Sequence, residues 1–165
     1  MPLTRIVSGG QTGVDRGALD AALDAGFPCG GWCGRGRVAE DGAITARYPL
    51  AEMTAGGYTE RTLKNVIESD GTAILYLREV EGGTRQTMLF CIEHRKPYAL
   101  IDAAGTPPVD AAGRIAAFIT ANEIAVLNVA GPRASKWQGA RDYAYGVVSQ
   151  LLMRLEGVSK PGLCT

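Results

Sequence analysis

The chain has 165 residues, 46% hydrophobic and 21% charged, and its 17 basic and 17 acidic side chains balance to zero net charge. That length suits one domain with a core large enough to need neither metal nor disulfides, the composition excludes a disordered chain, and the balanced charge supplies no field to draw it to nucleic acid. No apolar run approaches the ~20 residues that span a bilayer, and the start, Met1-Pro2-Leu3-Thr4-Arg5-Ile6-Val7, lacks a leader pattern, so a cytoplasmic protein without membrane contact is expected.

Short apolar runs alternate with amphipathic stretches, the pattern of βα units on a mainly parallel sheet, and five strands and five helices are predicted. Arg5 to Ser8 is the first strand, Gly9 to Gly13 a turn, and Val14 to Ala25 a helix with Val14, Ala18, Ala22 and Ala25 on one face. Thr12 and Asp15 fit the S/T-x-x-D/E start of that helix, and Gly26 stands where glycine closes helices in a left-handed backbone. Pro28 to Trp32 reads as a second strand. Cys33 to Gly57 follows without sustained periodicity, and a loop of that length is usually functional. Thr59 to Glu68 is predicted as a helix facing inward through Leu63, Val66 and Ile67, Ala73 to Leu77 as a buried strand after an Asp70-Gly71 turn, and Thr84 to His94 as the next helix. Pro97 to Ile101 is the fourth strand and Asp110 to Ala121 a helix. Ile124 to Val129, apolar at nearly every position, is a strand covered on both faces. The last helix, Gln138 to Leu155, carries Tyr143, Val147, Leu151 and Leu155 as a core stripe, so that one domain spans 1–156 and Gly157 to Thr165 is a tail.

Four irregularly spaced cysteines, Cys29, Cys33, Cys91 and Cys164, do not make a disulfide framework, and the single histidine, His94, falls at a helix end with no metal-ligand partner at a suitable spacing. No metal site is predicted. The chemistry lies instead in three glycine-containing turns between strand and helix: Ser8-Gly9-Gly10-Gln11-Thr12-Gly13, Glu81-Gly82-Gly83-Thr84 and Asn128-Val129-Ala130-Gly131-Pro132-Arg133. Such turns lie at strand carboxyl ends, where open α/β sheets bind ligands, and a helix start offers unpaired N–H groups to an anion. Singly each glycine pair is explained by turn geometry; together they point to a phosphorylated or oxyanionic ligand. Thr12, Thr84 and Ser135 add hydroxyls, and Arg16, Arg85 and Arg133 are candidate phosphate donors or solvated surface residues. Neither G-x-x-x-x-G-K-[ST] nor G-x-G-x-x-G is present, which weakens ATP hydrolysis and NAD redox chemistry. Asp15 reads either as a helix cap or as a ligand contact, Glu40 and Asp41 as turn residues or site residues, and Trp32 as packing or a stacking surface.

The stretches Ser8-Gly9-Gly10-Gln11-Thr12-Gly13-Val14-Asp15-Arg16, Gly30-Gly31-Trp32-Cys33, Gly36-Arg37, Ala39-Glu40-Asp41-Gly42, Arg47-Tyr48-Pro49-Leu50 and Asn128-Val129-Ala130-Gly131-Pro132-Arg133 resemble the molybdenum-cofactor carrier family. That family is similar to a circularly permuted branch of the Rossmann-like superfamily that holds the cytokinin-activating phosphoribohydrolases and the DNA-processing protein DprA. The resemblance implies a three-layer α/β/α fold with strand order 2-1-5-3-4, which makes strands one, five and three neighbours and brings their turns to one pocket. Chain order alone suggests 2-1-3-4-5, with the fifth turn remote.

The resemblance further implies a binding or carrier protein for molybdenum cofactor or a related nucleotide, self-associated; zero net charge and few clustered basic residues argue against a nucleic-acid partner. The ligand would lie against Ser8, Gly9, Gly10, Gln11, Thr12, Gly13, Asp15 and Arg16 of the first turn, Gly82, Gly83 and Thr84 of the second, and Gly131, Pro132, Arg133 and Ser135 of the third. The phosphoribohydrolases carry P-G-G-x-G-T-x-x-E; here Thr87 stands at the position of the glutamate, and a threonine cannot stabilise an oxocarbenium-like centre. Binding is therefore favoured over catalysis. The alternative is a nucleotide-processing hydrolase of phosphoribohydrolase or NAD-cleaving type, with Asp15, Glu40 or Asp41 supplying the acid.

Overall fold

The computed structural model describes residues 3–159. The expected tail residues 160–165, with Cys164, lie outside the described residues. In chain order the elements are β1 (Arg5–Val7), α1 (Val14–Asp24), β2 (Cys29–Gly30), β3 (Trp32–Cys33), β4 (Val38–Ala39), β5 (Gly42–Ala43), β6 (Ala51–Glu52), α2 (Tyr58–Ile67), β7 (Gly71–Tyr76), α3 (Gly82–Glu93), β8 (Tyr98–Asp102), α4 (Pro108–Ala121), β9 (Val126–Ala130) and α5 (Ala140–Ser159). Gly26, at φ +64, follows α1 as its closing residue, and His94 caps the carboxyl end of α3.

Five strands form the central sheet in the order β2-β1-β9-β7-β8, every pair parallel. Counted along the five expected strands this reads 2-1-5-3-4. β9 fills the centre because Leu127 and Val129 are apolar on alternate positions and fully enclosed, while its neighbours β1 and β7 supply Ile6, Ile74 and Leu75. Helices α1, α4 and α5 pack on one face of the sheet, around Val14, Ala18, Ile115, Ile119, Val147 and Leu151. On the other face α2 and α3 meet over Val66, Phe90 and Cys91. Each of the large core side chains adds roughly 1.5–3 kcal/mol by leaving water. Asp70 is more than a turn former: its carboxylate accepts the N–H groups of Ala125 at 3.1 Å and Val126 at 2.8 Å, which ties the entry of β9 to that of β7.

Three sequence expectations need correction. The strand expected from Pro28 to Trp32 breaks at Gly31, whose φ of +123 and close approach to Ser8 turn the chain out of the sheet. Trp32 and Cys33 then pair with β6 instead. The stretch from Cys33 to Gly57 is also no unstructured loop: β4 and β5 form a hairpin, and Arg37 donates to the carbonyls of Ile44, Leu50, Thr45 and Tyr48 at 2.9–3.2 Å. One guanidinium thereby replaces the backbone ladder that such short strands cannot supply, and Cys33, Ala39, Ile44 and Leu50 close over Leu19. At the carboxyl end α5 continues through residues 157–159, past the expected boundary. No helix among the described residues is long and apolar enough to cross a membrane.

Candidate functional site

The first and third turns nest into each other at the carboxyl ends of β1 and β9. Ser8 Oγ donates to the Val129 carbonyl at 2.7 Å, and the Val14 N–H donates to the Pro132 carbonyl at 3.1 Å. A Cβ at Gly13 would lie 2.4 Å from that same carbonyl oxygen, and one at Gly131 would lie 2.2 Å from the carbonyl oxygen of Leu75. These glycines are there for backbone packing. The cap expected from Thr12 and Asp15 does not form, because Gly13 at φ +81 takes the N-cap place and swings Thr12 away from the helix axis. The Thr12 hydroxyl instead donates to Glu40 Oε1 and accepts the Ala134 N–H at 3.1 Å, while Asp15 turns back to accept the Gln11 N–H at 3.2 Å.

Glu40, at the tip of the β4–β5 hairpin, fills the space between these turns. Its carboxylate takes the Ser135 hydroxyl at 2.6 Å and the Ser135 N–H at 3.0 Å, with Arg133 Nε 3.6 Å away, and its own N–H donates to Gln11 Oε1 at 2.9 Å. The Ser135 hydroxyl, then that of Thr12, hold the Glu40 carboxyl below its usual range. Next to it Arg16 forks onto both oxygens of Asp41 at 3.0 Å and donates to the Gly10 carbonyl at 3.0 Å. The hydroxyls of Ser8, Thr12 and Ser135 and the guanidinium of Arg16 are thus spent on the protein itself.

The second turn is different. Gly82 and Gly83 fall inside the first turn of α3 rather than ahead of it; the N-cap residue Glu81 makes no side-chain cap, and a Cβ at either glycine would meet nothing within 4 Å. The helix start therefore opens onto free space with its N–H groups exposed. That space is a cleft of about 470 Å³ at the carboxyl ends of β7 and β9. Of the residues singled out in the sequence, Gln11, Asp15, Gly82, Gly83, Thr84, Gly131, Pro132 and Arg133 line it; Ser8, Gly10, Thr12, Gly13, Arg16 and Ser135 do not. Gly9 reaches only a side chamber of about 10 Å³ behind the floor. Arg85 is exposed and lies outside the lining, and Trp32 packs elsewhere, its ring 3.7 Å beneath Lys64 Nζ and its indole N–H on Glu68.

Ten lining residues were not foreseen as site residues: Tyr58, Arg61 and Thr62 of α2, Leu77 and Glu79 after β7, Glu81 and Thr87 at the start of α3, Ala130 at the end of β9, and Lys136 and Trp137 after the third turn. Tyr58, Arg61, Thr62 and, in the side chamber, Asn65 recur at helical spacing and form a polar stripe on α2. Burial pushes the Asp15 carboxyl above its ordinary value of 3.8, against the pull of Arg61 and of the Gln11 N–H. Among the described residues no group of three or more His, Cys, Asp or Glu side chains is placed to hold a metal ion.

The model of the circularly permuted YpsA SLOG family matches residues 6–152. This chain belongs to that family. Among solved structures it is similar to a protein from Syntrophus aciditrophicus that carries the provisional name of molybdenum carrier protein, with 41% identity over 91% of this chain and 95% of the other and a TM-score of 0.88. No curated protein matches it.

Proposed function

We propose that this protein binds and carries a small phosphorylated ligand, molybdenum cofactor or a related nucleotide, in the cleft between α2, α3 and the turn after β9. The observation that carries the reading is the uncapped start of α3, with Gly82 and Gly83 open to a cleft that Arg133 and Lys136 also line. Exposed N–H groups, a positive helix end and two cations suit a phosphate. Trp137 and Tyr58 supply aromatic surface for a flat ring, and about 470 Å³ lies within the range of roughly 300–1,000 Å³ of small-molecule sites. Thr87, where related hydrolases have glutamate, donates its hydroxyl to the Gly83 carbonyl at 3.1 Å and so braces the helix start. The name of the Syntrophus protein supports a carrier of molybdenum.

Titration of the purified protein with molybdenum cofactor, AMP and GMP tests the reading. A ligand at about a hundred times its Kd raises the unfolding free energy by roughly 2.7 kcal/mol, which melting experiments resolve. Neither heat of binding nor a melting shift with any of the three would sink the proposal. Free base released from AMP, and lost in Asp15→Asn, would make the cleft a hydrolase site instead.

A further inference from the structure

Arg16, Arg37 and Arg61 are each partly covered, and they differ in what holds them. Arg16 is saturated by Asp41 and the Gly10 carbonyl, and Arg37 by four backbone carbonyls. The Arg61 side chain is only 13% exposed, yet among the described residues its guanidinium donates no hydrogen bond. It lies 3.5 Å from one oxygen of Asp15 and 5.5 Å above the Tyr58 ring, and it lines both the cleft and the side chamber. A guanidinium kept only to neutralise Asp15 would grip both carboxylate oxygens, as Arg16 grips Asp41. Arg61 does not. Its planar set of donors is left facing the cleft, where an incoming oxyanion can take two of them at once.

Gly9 explains how the group fits there. A Cβ at Gly9 would lie 1.8 Å from Arg61 Nη1 and 2.5 Å from Cζ, so the second residue of the Ser8 to Gly13 motif is glycine because the guanidinium occupies the place of a side chain. Resting on the binding-cleft reading above, we propose that Arg61, seated by Gly9, is the anchor for an oxyanion of the ligand, a phosphate or an oxyanion of similar shape, at the floor of the cleft. Asp15 is a positioning residue that holds the cation in place and competes with the anion for it.

The test is calorimetric titration of the full-length protein and its variants with inorganic phosphate and with AMP at neutral pH. Arg61→Gln is expected to weaken both roughly ten- to hundred-fold, and Arg61→Lys, which keeps the charge without the planar fork, to recover only part of that. Asp15→Asn removes the competing carboxylate and is expected to bind phosphate at least as tightly as the wild type, which a misfolded protein cannot do. Gly9→Ala, which forces the guanidinium off its seat, is expected to bind like Arg61→Gln. Wild-type binding left unchanged in Arg61→Gln, or abolished in Asp15→Asn while the variant stays folded, overturns the role of Arg61 and leaves the cleft reading standing. Absence of wild-type binding to both probes overturns the role of Arg61, and the cleft reading falls with it only where molybdenum cofactor and GMP fail to bind as well. If Arg61→Gln does not fold, Arg61→Lys decides, and affinity equal to the wild type counts against the proposal.

Discussion

Glu40 accepts two hydrogen bonds from Ser135, 95 residues away in the chain, the serine hydroxyl donating to Oε2 at 2.6 Å and its N–H to Oε1 at 3.0 Å. The hairpin of the long connection is thereby fastened to the turn after β9, and a carboxylate of the protein itself occupies what would otherwise be an anion site between the first and third turns.

Glu40→Gln is expected to lower stability by roughly 1–2 kcal/mol, about 2–4 °C of melting temperature for each kcal/mol, since part of the carboxylate remains open to water. The folded-state pKa lies below the ordinary 4.5, so the carboxylate's contribution is complete above that value and is lost as pH falls through the folded one. Urea unfolding of wild type and variant from neutral pH down to acid should show the gap between them closing; a gap independent of pH would contradict the assigned charge.

Asp15 behaves with the opposite sign. Its folded pKa is raised above 3.8, so the native state holds more protons than the unfolded one between the two values, and stability declines as pH rises across that window. Asp15→Asn removes this term. The stability of the variant relative to wild type should climb from pH 3.8 upward and then level off, as measured by unfolding at a series of pH values.

Two glycine variants separate packing from binding. Gly131→Ala must push a methyl into the Leu75 carbonyl and is expected to cost roughly 1–3 kcal/mol or more. Gly83→Ala meets no atom within 4 Å and should leave stability within about 0.5 kcal/mol of wild type, while its methyl narrows the open start of α3 and weakens AMP binding. Differential scanning calorimetry and titration on the same samples distinguish the two, and normal AMP affinity in Gly83→Ala would move the phosphate away from α3.

The tryptophans provide an optical readout. Trp137 lines the cleft with its ring 5.4 Å from that of Tyr143, whereas Trp32 lies under Lys64. Ligand addition should change the fluorescence of the wild type and of Trp32→Phe and leave Trp137→Phe without a response. A response retained in Trp137→Phe would place the ligand elsewhere.

Strand and helix alternation made the α/β class legible, since the apolar run at Ile124 to Val129 has no other use than a central strand. The placing of that strand between β1 and β7 came from the family resemblance and not from periodicity, because hydrophobic pattern carries no information about strand order. The segment from Cys33 to Gly57 stayed opaque because its strands are two residues long and its order depends on Arg37 reaching four carbonyls, which leaves no repeat to read. The glycines of the turns stood out by type, yet whether a glycine faces a ligand or a neighbouring backbone is decided by what packs on it. Tyr58, Arg61, Thr62 and Asn65 do show helical spacing in the sequence. A polar stripe opposite Leu63 and Val66 reads as the solvent side of an amphipathic helix, and only the tertiary cover of the loops makes it a wall of the cleft.

β9 is the last strand in the chain and the middle one in the sheet. Until residues 126–130 have emerged from a ribosome, β1 can pair only with β2 and β7 only with β8, leaving two ribbons with open edges. The first and third turns do not meet in that state, and the cleft lacks Gly131, Pro132, Arg133, Lys136 and Trp137. A chain that stalls or is clipped before β9 therefore forms neither the middle of the sheet nor that wall of the cleft.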